Sequence, residues 1–136
     1  MYWGSVGEGA WVETESLKLT ADSYSQAQVI RVREIDHEKG LTVVMSRSHP
    51  SPELEVYLQD IKVAEALPVG SSLKLCVVAE GKADTYPRLG PTMEWDTAAG
   101  HAVVEAAGGT VTQVDGTALR YNKENLLNPF FIVKGL

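Results

Sequence analysis

Apolar positions change period several times along the chain, and each change marks an element. The opening residues, MYWGSVGEGAWVE, read as two short strands joined by a glycine turn. Tyr2, Trp3, Trp11 and Val12 suit a pleated sheet, while Gly4, Gly7 and Gly9 supply turn geometry. QAQVIRVRE and GLTVVMSR predict two further strands. At SHPSPELEVYLQDI the period becomes helical: Ser51 is a candidate N-cap, Pro52 fits the first helical position, and Leu54, Leu58 and Ile61 fall on one face. KVAEALPVG predicts a strand closed by Pro68 and Gly70, and SSLKLCVVAEG a helix capped by serine and stopped at Gly81. KADTYPRLG reads as strand and loop. In MEWDTAAGHAVVEAAGG, the residues Trp95, Ala98, Ala99, Ala102, Val103 and Ala106 follow the i, i+3, i+4, i+7 rule, and Gly108 and Gly109 end the helix. TVTQV, TALRY and FFIVKG are three more strand candidates. Strands alternating with three helices imply a layered α/β or α+β domain.

Length and composition narrow this only a little. The chain has 136 residues, 44% hydrophobic and 22% charged, enough for one domain with a real core. No apolar run approaches the ~20 residues of a membrane helix, so no transmembrane segment is expected. No basic region leads into an apolar core at the start, and the expected location is cytoplasmic. The single cysteine excludes an internal disulfide, and Cys76 in LKLCVVA reads as a buried small hydrophobe. A net charge of -6 argues against nucleic-acid polymers as partners. An anionic ligand needs a local positive cluster that wins against the overall field.

Four places carry candidate chemistry. Asp96 sits in the first turn of the third helix, where the helix dipole stabilises a carboxylate. Small residues around it suggest a second role: Gly100 bares that face, and Ala98 and Ala99 let the helix head pack closely, so the carboxylate can meet a metal and a ligand. One aspartate is not a magnesium site, which usually takes more than one carboxylate. Ser46, Arg47, Ser48 and His49 follow a strand and precede a helix. That is where open α/β sheets bind ligands, but also where a polar loop simply caps the next helix. Gly70, Ser71, Ser72 and Lys74 form a serine-rich helix start with a lysine one turn in, chemically like a phosphate cradle but without P-loop spacing. Arg88, between Pro87 and Gly90, suits a bidentate phosphate contact or a solvated loop. His37 and His101 show no partner spacing, and HExxH, CxxC and Gly-x-Ser-x-Gly patterns are absent.

WDTAAGHAVVEAAGG resembles the second signature of the inositol monophosphatase superfamily. With SRSHPSPELE, GSSLKLCVVAEGKADTYPRLGPTMEWDTAAG and LNPFFIV, the chain is similar to the CysQ-type 3'(2'),5'-bisphosphate nucleotidases. The likeness is specific over Gly70 to Gly109 and looser over Glu15 to Glu38. It implies the C-terminal half of the inositol-monophosphatase-like fold, a mixed sheet flanked by helices, with an active site between that half and an N-terminal one. It implies that Asp96 is a magnesium ligand, that Ser46 and His49 border the nucleotide, and that Gly70, Ser71, Lys74 and Arg88 contact its phosphates or ribose. The reaction implied is hydrolysis of 3'-phosphoadenosine 5'-phosphate to AMP and phosphate, clearing a by-product of sulfate assimilation. In it, metal activates water for in-line attack and neutralises the leaving oxygen. Lithium inhibition follows where the metal site is intact.

The family's first signature, Asp-Pro-x-Asp-Gly-Thr, does not occur in this sequence. The chain is therefore expected to be a C-terminal portion. Residues 1–20 would be remnant strands of the missing half, able to self-associate through unpaired edges, and 21–136 the nucleotide- or phosphate-binding domain. As an isolated piece it is expected to be inactive. A non-catalytic nucleotide-binding module, a structural fragment without a ligand, and a phosphatase acting on inositol phosphates or fructose bisphosphate are the alternatives.

Overall fold

The computed structural model describes residues 1–13, 27–46 and 51–136. Gly7 and Gly9, at φ +87° and +128°, fold the opening segment into a hairpin, whereas Gly4 lies within its first strand, where a Cβ would stand 2.7 Å from Ala106 Cβ. Strand β1 (Tyr2–Ser5) pairs antiparallel with β2 (Gly9–Val12), which pairs antiparallel with β3 (Gln28–Ile30). The rings of Trp3 and Trp11 stack across the β1–β2 pair with centroids 6.5 Å apart. Of the residues read as remnant strands, Tyr2–Ser5 and Gly9–Val12 thus sit in one sheet with β3, and 14–20 lie outside the described residues. Ala10 and Val12 of β2 enter the same core as Val104 and Val133.

The second sheet has the order β5-β4-β6-β8-β7. Strand β4 (Leu41–Met45) lies parallel to both β5 (Val63–Pro68) and β6 (Thr85–Arg88), so the chain leaves β4 towards one neighbour and returns to the other. Strand β8 (Phe131–Lys134) runs antiparallel to β6 and to β7 (Thr110–Gln113). This is the mixed sheet that the family resemblance implies, within the layered domain expected from the strand–helix alternation. Helix α1 (Pro52–Leu58) links β4 to β5, α2 (Leu73–Ala79) links β5 to β6, and α3 (Glu94–Ala106) links β6 to β7.

The core is aliphatic, built around Val43, Val44, Val78, Val104, Val133 and Phe131, each 1% exposed or less. Beside it the Asp84 carboxylate takes a two-pronged contact from Arg33, Nε and Nη2 each 2.7 Å away, and the Thr42 amide at 2.6 Å. Burial works against this carboxylate, but Arg33 and the amide outweigh it and hold the group below the usual carboxylate range. Gly81 and Gly109 are among the glycines that the geometry requires. Gly81 ends α2 at φ +70°, with the Arg31 carbonyl 2.8 Å from where a Cβ would stand. A Cβ on Gly109 would lie 2.7 Å from the Lys134 carbonyl.

Several sequence expectations change. Ser51 does cap α1, its Oγ accepting from the Leu54 amide at 3.3 Å, but Ile61 falls beyond the helix end. Ser72 makes no side-chain cap; α2 is entered through a turn in which Ser71 adopts φ +51°. TALRY forms a single bridge, Thr112 to Ala118, because the chain turns back at once through Asp115 and Gly116. The face of α3 is the largest correction. Trp95, Ala98, Ala99 and Ala102 are exposed, whereas Glu94, Thr97, His101, Val103 and Val104 are buried. Gly100 does not bare a face for ligands: a Cβ there would stand 3.1 Å from Leu75 Cβ, so it sets the approach of α3 to α2.

Candidate functional site

Parallel strands that end side by side leave a crevice beyond their carboxyl ends, most open where the connections diverge. Here β4 is the point of divergence, and Ser46, which follows it, lies between the cations of its neighbours. The Lys74 ammonium, from α2, donates to Ser46 Oγ at 3.2 Å, and Arg88 Nη1, at the end of β6, donates to the same oxygen at 3.4 Å. An open cleft of about 400 Å³ is lined by Ser71, Lys74, Tyr86, Arg88, Trp95 and Asp96, among others.

The electrostatics of this cleft are positive and under-compensated. Lys74 is 8% exposed, and its ammonium lies 5.5 Å from the centroid of the Tyr86 ring. Its pKa is lowered, first by burial and second by the Arg88 charge. Arg88 donates from Nη2 to the Pro91 carbonyl at 3.1 Å, while its Nε is buried and has no hydrogen-bond partner among the described residues. Such a donor is costly to leave unpaired. Burial raises the Tyr86 phenol above its ordinary value, against an opposing effect of Arg88, so it stays a neutral donor.

Asp96 occupies the first turn of α3. Its Oδ2 accepts from the Met93 amide at 2.9 Å, which ties one oxygen to the helix start. The side chain is otherwise on the exposed side of the turn. Ser71, Lys74, Arg88 and Asp96 therefore share one cleft, with Ser46 bonded to two of them. Gly70 precedes Ser71 and has open space where a Cβ would be. His49, with Arg47 and Ser48, lies outside the described residues. Among the described residues no three His, Cys, Asp or Glu side chains gather closely enough to hold a metal ion. One carboxylate with an oxygen already engaged does not make a magnesium site; these residues fit a contribution to one.

Periodicity gave no hint of what holds Asp96 in place. The segment Tyr121–Asn128 wraps the start of α3. Asn128 Nδ2 lies 2.9 Å from the Met93 carbonyl, 3.1 Å from Thr92 Oγ1 and 3.0 Å from Thr97 Oγ1. Glu94 accepts from the amides of Asn122 at 2.7 Å and Lys123 at 3.1 Å, and pairs with the Lys123 ammonium. The Glu94 carboxyl is held below its ordinary pKa, chiefly by that lysine. Below them, His101 Nδ1 meets Tyr121 Oη at 2.8 Å and its Nε2 meets Glu105 at 3.0 Å. A signal was present in the polar stripe Glu94, Thr97, His101, spaced three and four residues apart on a helix otherwise rich in alanine.

Fold and cleft define an α/β layer with a ligand crevice at the carboxyl ends of its parallel strands. The sequence profile described as the Inositol monophosphatase family matches residues 1–130, and the chain belongs to that family. The 3'(2'),5'-bisphosphate nucleotidase CysQ of Escherichia coli strain K12 is 54% identical over 92 residues, 67% of this chain and 37% of that protein. The crystal structure of CysQ from Bacteroides thetaiotaomicron superposes with a TM-score of 0.77 at 44% identity, covering 95% of this chain and 51% of that one. Staphylococcal IMPase-II shares the fold, with a TM-score of 0.70 at 19% identity over 96% of this chain and 47% of that one. The chain thus spans about half the length, or less, of these relatives.

Proposed function

We propose that this chain is the C-terminal, substrate-binding part of a magnesium-dependent phosphatase that hydrolyses 3'-phosphoadenosine 5'-phosphate to AMP and phosphate. The observation that carries this reading is the under-compensated pair Lys74 and Arg88 in one cleft with Asp96, in a chain 54% identical over 92 residues to a protein named 3'(2'),5'-bisphosphate nucleotidase. Lys74 and Arg88 bind phosphate oxygens, Lys74 as a point charge and Arg88 through its guanidinium. Ser46 and Ser71 orient the same group, and His49 and Gly70 border the nucleotide. Trp95, 67% exposed at the cleft, offers a flat face to a base. Asp96 supplies one carboxylate towards magnesium.

Calorimetric titration with 3'-phosphoadenosine 5'-phosphate tests the reading. Binding is expected, weakened at least tenfold in Lys74→Gln and in Arg88→Gln. Equal binding by wild type and both variants would overturn it. Inositol monophosphate and fructose bisphosphate, titrated alongside, separate the nucleotide from the other substrates.

A further inference from the structure

We propose that Asn128 is a positioning residue that locks the Asp96-bearing turn of α3 onto the cleft wall. The inference rests on the reading of that cleft as the substrate site. Asn128 is 4% exposed, and its side-chain nitrogen faces three acceptors, all in or beside the first turn of α3. A primary amide has two N–H bonds, so the three contacts share two protons. Its backbone amide adds a fourth tie, donating to the Thr92 carbonyl at 2.8 Å. The amide oxygen, in contrast, is buried and has no hydrogen-bond partner among the described residues. An orphaned buried acceptor is destabilising, and an apolar side chain would avoid it. What the asparagine supplies in return is a donor pair aimed at one turn.

That turn is where the cleft is shaped. Met93 is gripped twice: its carbonyl accepts from Asn128 and from the Asp96 amide at 2.9 Å, and its amide donates to the Asp96 carboxylate. Removing the Asn128 donors leaves the Met93 carbonyl with the Asp96 amide alone. The turn then keeps its main-chain ties to this segment, the Asn128 amide on the Thr92 carbonyl and the Glu94 amide on the Leu126 carbonyl at 3.0 Å, with the Glu94 carboxylate on the Asn122 and Lys123 amides. Thr97, the third contact, itself lines the cleft next to Asp96. Phe131, three residues after Asn128, lines it too and pairs across the sheet with Arg88. One segment therefore places both the carboxylate turn and the strand beside the arginine.

The test compares Asn128→Asp, which keeps the shape and removes both donors, with Val104→Ala, which loosens the buried side of α3 without touching its first turn. Amide hydrogen exchange followed by NMR reads local opening. In Asn128→Asp, protection at Met93 and Asp96 is expected to fall at least tenfold more than at Val43 and Val44. In Val104→Ala the two pairs should fall together. Titration with 3'-phosphoadenosine 5'-phosphate should then show at least fivefold weaker binding in Asn128→Asp and unchanged binding in Val104→Ala. Thr97→Val removes one acceptor and should give a smaller loss of the same pattern, which decides the matter if Asn128→Asp does not fold. A uniform loss of protection, or unchanged protection at Met93 and Asp96, overturns the proposal. Absence of nucleotide binding in the wild type overturns the proposed function instead, while the exchange pattern still judges the role of Asn128.

Discussion

At Lys74 two effects act against the ammonium, burial and the neighbouring guanidinium of Arg88. Because its pKa is lowered on folding, the unfolded chain holds that proton more tightly. Stability should rise with pH between the folded value and the ordinary lysine value, and the charged form is carried at a cost below it. A phosphate dianion reverses the sign, since it favours the ammonium. Inorganic phosphate should therefore stabilise the chain against heat most strongly at pH values where Lys74 is charged. At one hundred times its dissociation constant it should add about 2.7 kcal/mol. The effect should fade as pH rises through the lowered lysine value. In Lys74→Gln this pH dependence should vanish, and affinity should fall about ten- to a hundredfold, as for loss of a charge-assisted contact. Differential scanning fluorimetry across pH checks both. An undiminished phosphate shift in Lys74→Gln would show that the anion sits elsewhere.

Among the elements, α3 shows best why periodicity reads some faces and not others. Trp95, Ala98, Ala99, Ala102, Val103 and Ala106 trace a regular apolar stripe, yet the first four are exposed while Val103 is buried and Ala106 half-buried, and Glu94, Thr97 and His101 form a buried polar stripe. A polar side chain enters a core when hydrogen bonds replace water, and replacing groups here come from residues 121–128, twenty or more positions away. No local pattern contains them. Where burial is aliphatic and local, as in LTVVM of β4 or the Pro52 start of α1, the sequence was a sufficient guide. The convergence of Ser71, Lys74, Arg88 and Asp96 was foreseeable only through resemblance, because it depends on strand order. Two substitutions probe the packing between elements. Gly109→Ala places a methyl 2.7 Å from the Lys134 carbonyl and 2.8 Å from Val32 Cγ1, neither of which yields freely. It should cost about 1–3 kcal/mol in urea unfolding, whereas Gly70→Ala, with open space at its Cβ position, should be near neutral. Asp84→Asn breaks the Arg33 fork beside the core and should cost about 2 kcal/mol at neutral pH. The Asp84 pKa is lowered on folding, so its contribution is full above the ordinary carboxylate value and is lost as pH falls through the folded value. The Asn variant should therefore approach wild-type stability in acid, and equal deficits at pH 7 and in acid would contradict the assignment.

For the molecule as a whole, binding and turnover make different demands. Binding an anion needs converging cations and donors, and the cleft has them in Lys74, Arg88 and Ser71, with Ser46 bonded to both cations. Hydrolysis of a phosphate ester also needs charge neutralised on the attacking and leaving oxygens, which in a magnesium enzyme falls to the metal. Magnesium keeps its waters unless several oxygens replace them in near-octahedral array. Asp96 offers one carboxylate, no second carboxylate lines the cleft with it among the described residues, and the Asp-Pro-x-Asp-Gly-Thr signature does not occur in the sequence. The two properties should therefore separate in this chain. Nucleotide affinity should be little changed by adding magnesium or by Asp96→Asn, and phosphate release from 3'-phosphoadenosine 5'-phosphate should stay at the uncatalysed background with excess magnesium. Titration calorimetry and a phosphate-release assay on the same preparation give both numbers. Metal-dependent turnover lost in Asp96→Asn would mean that further carboxylates reach the cleft, and the division drawn here between binding and catalysis would be wrong.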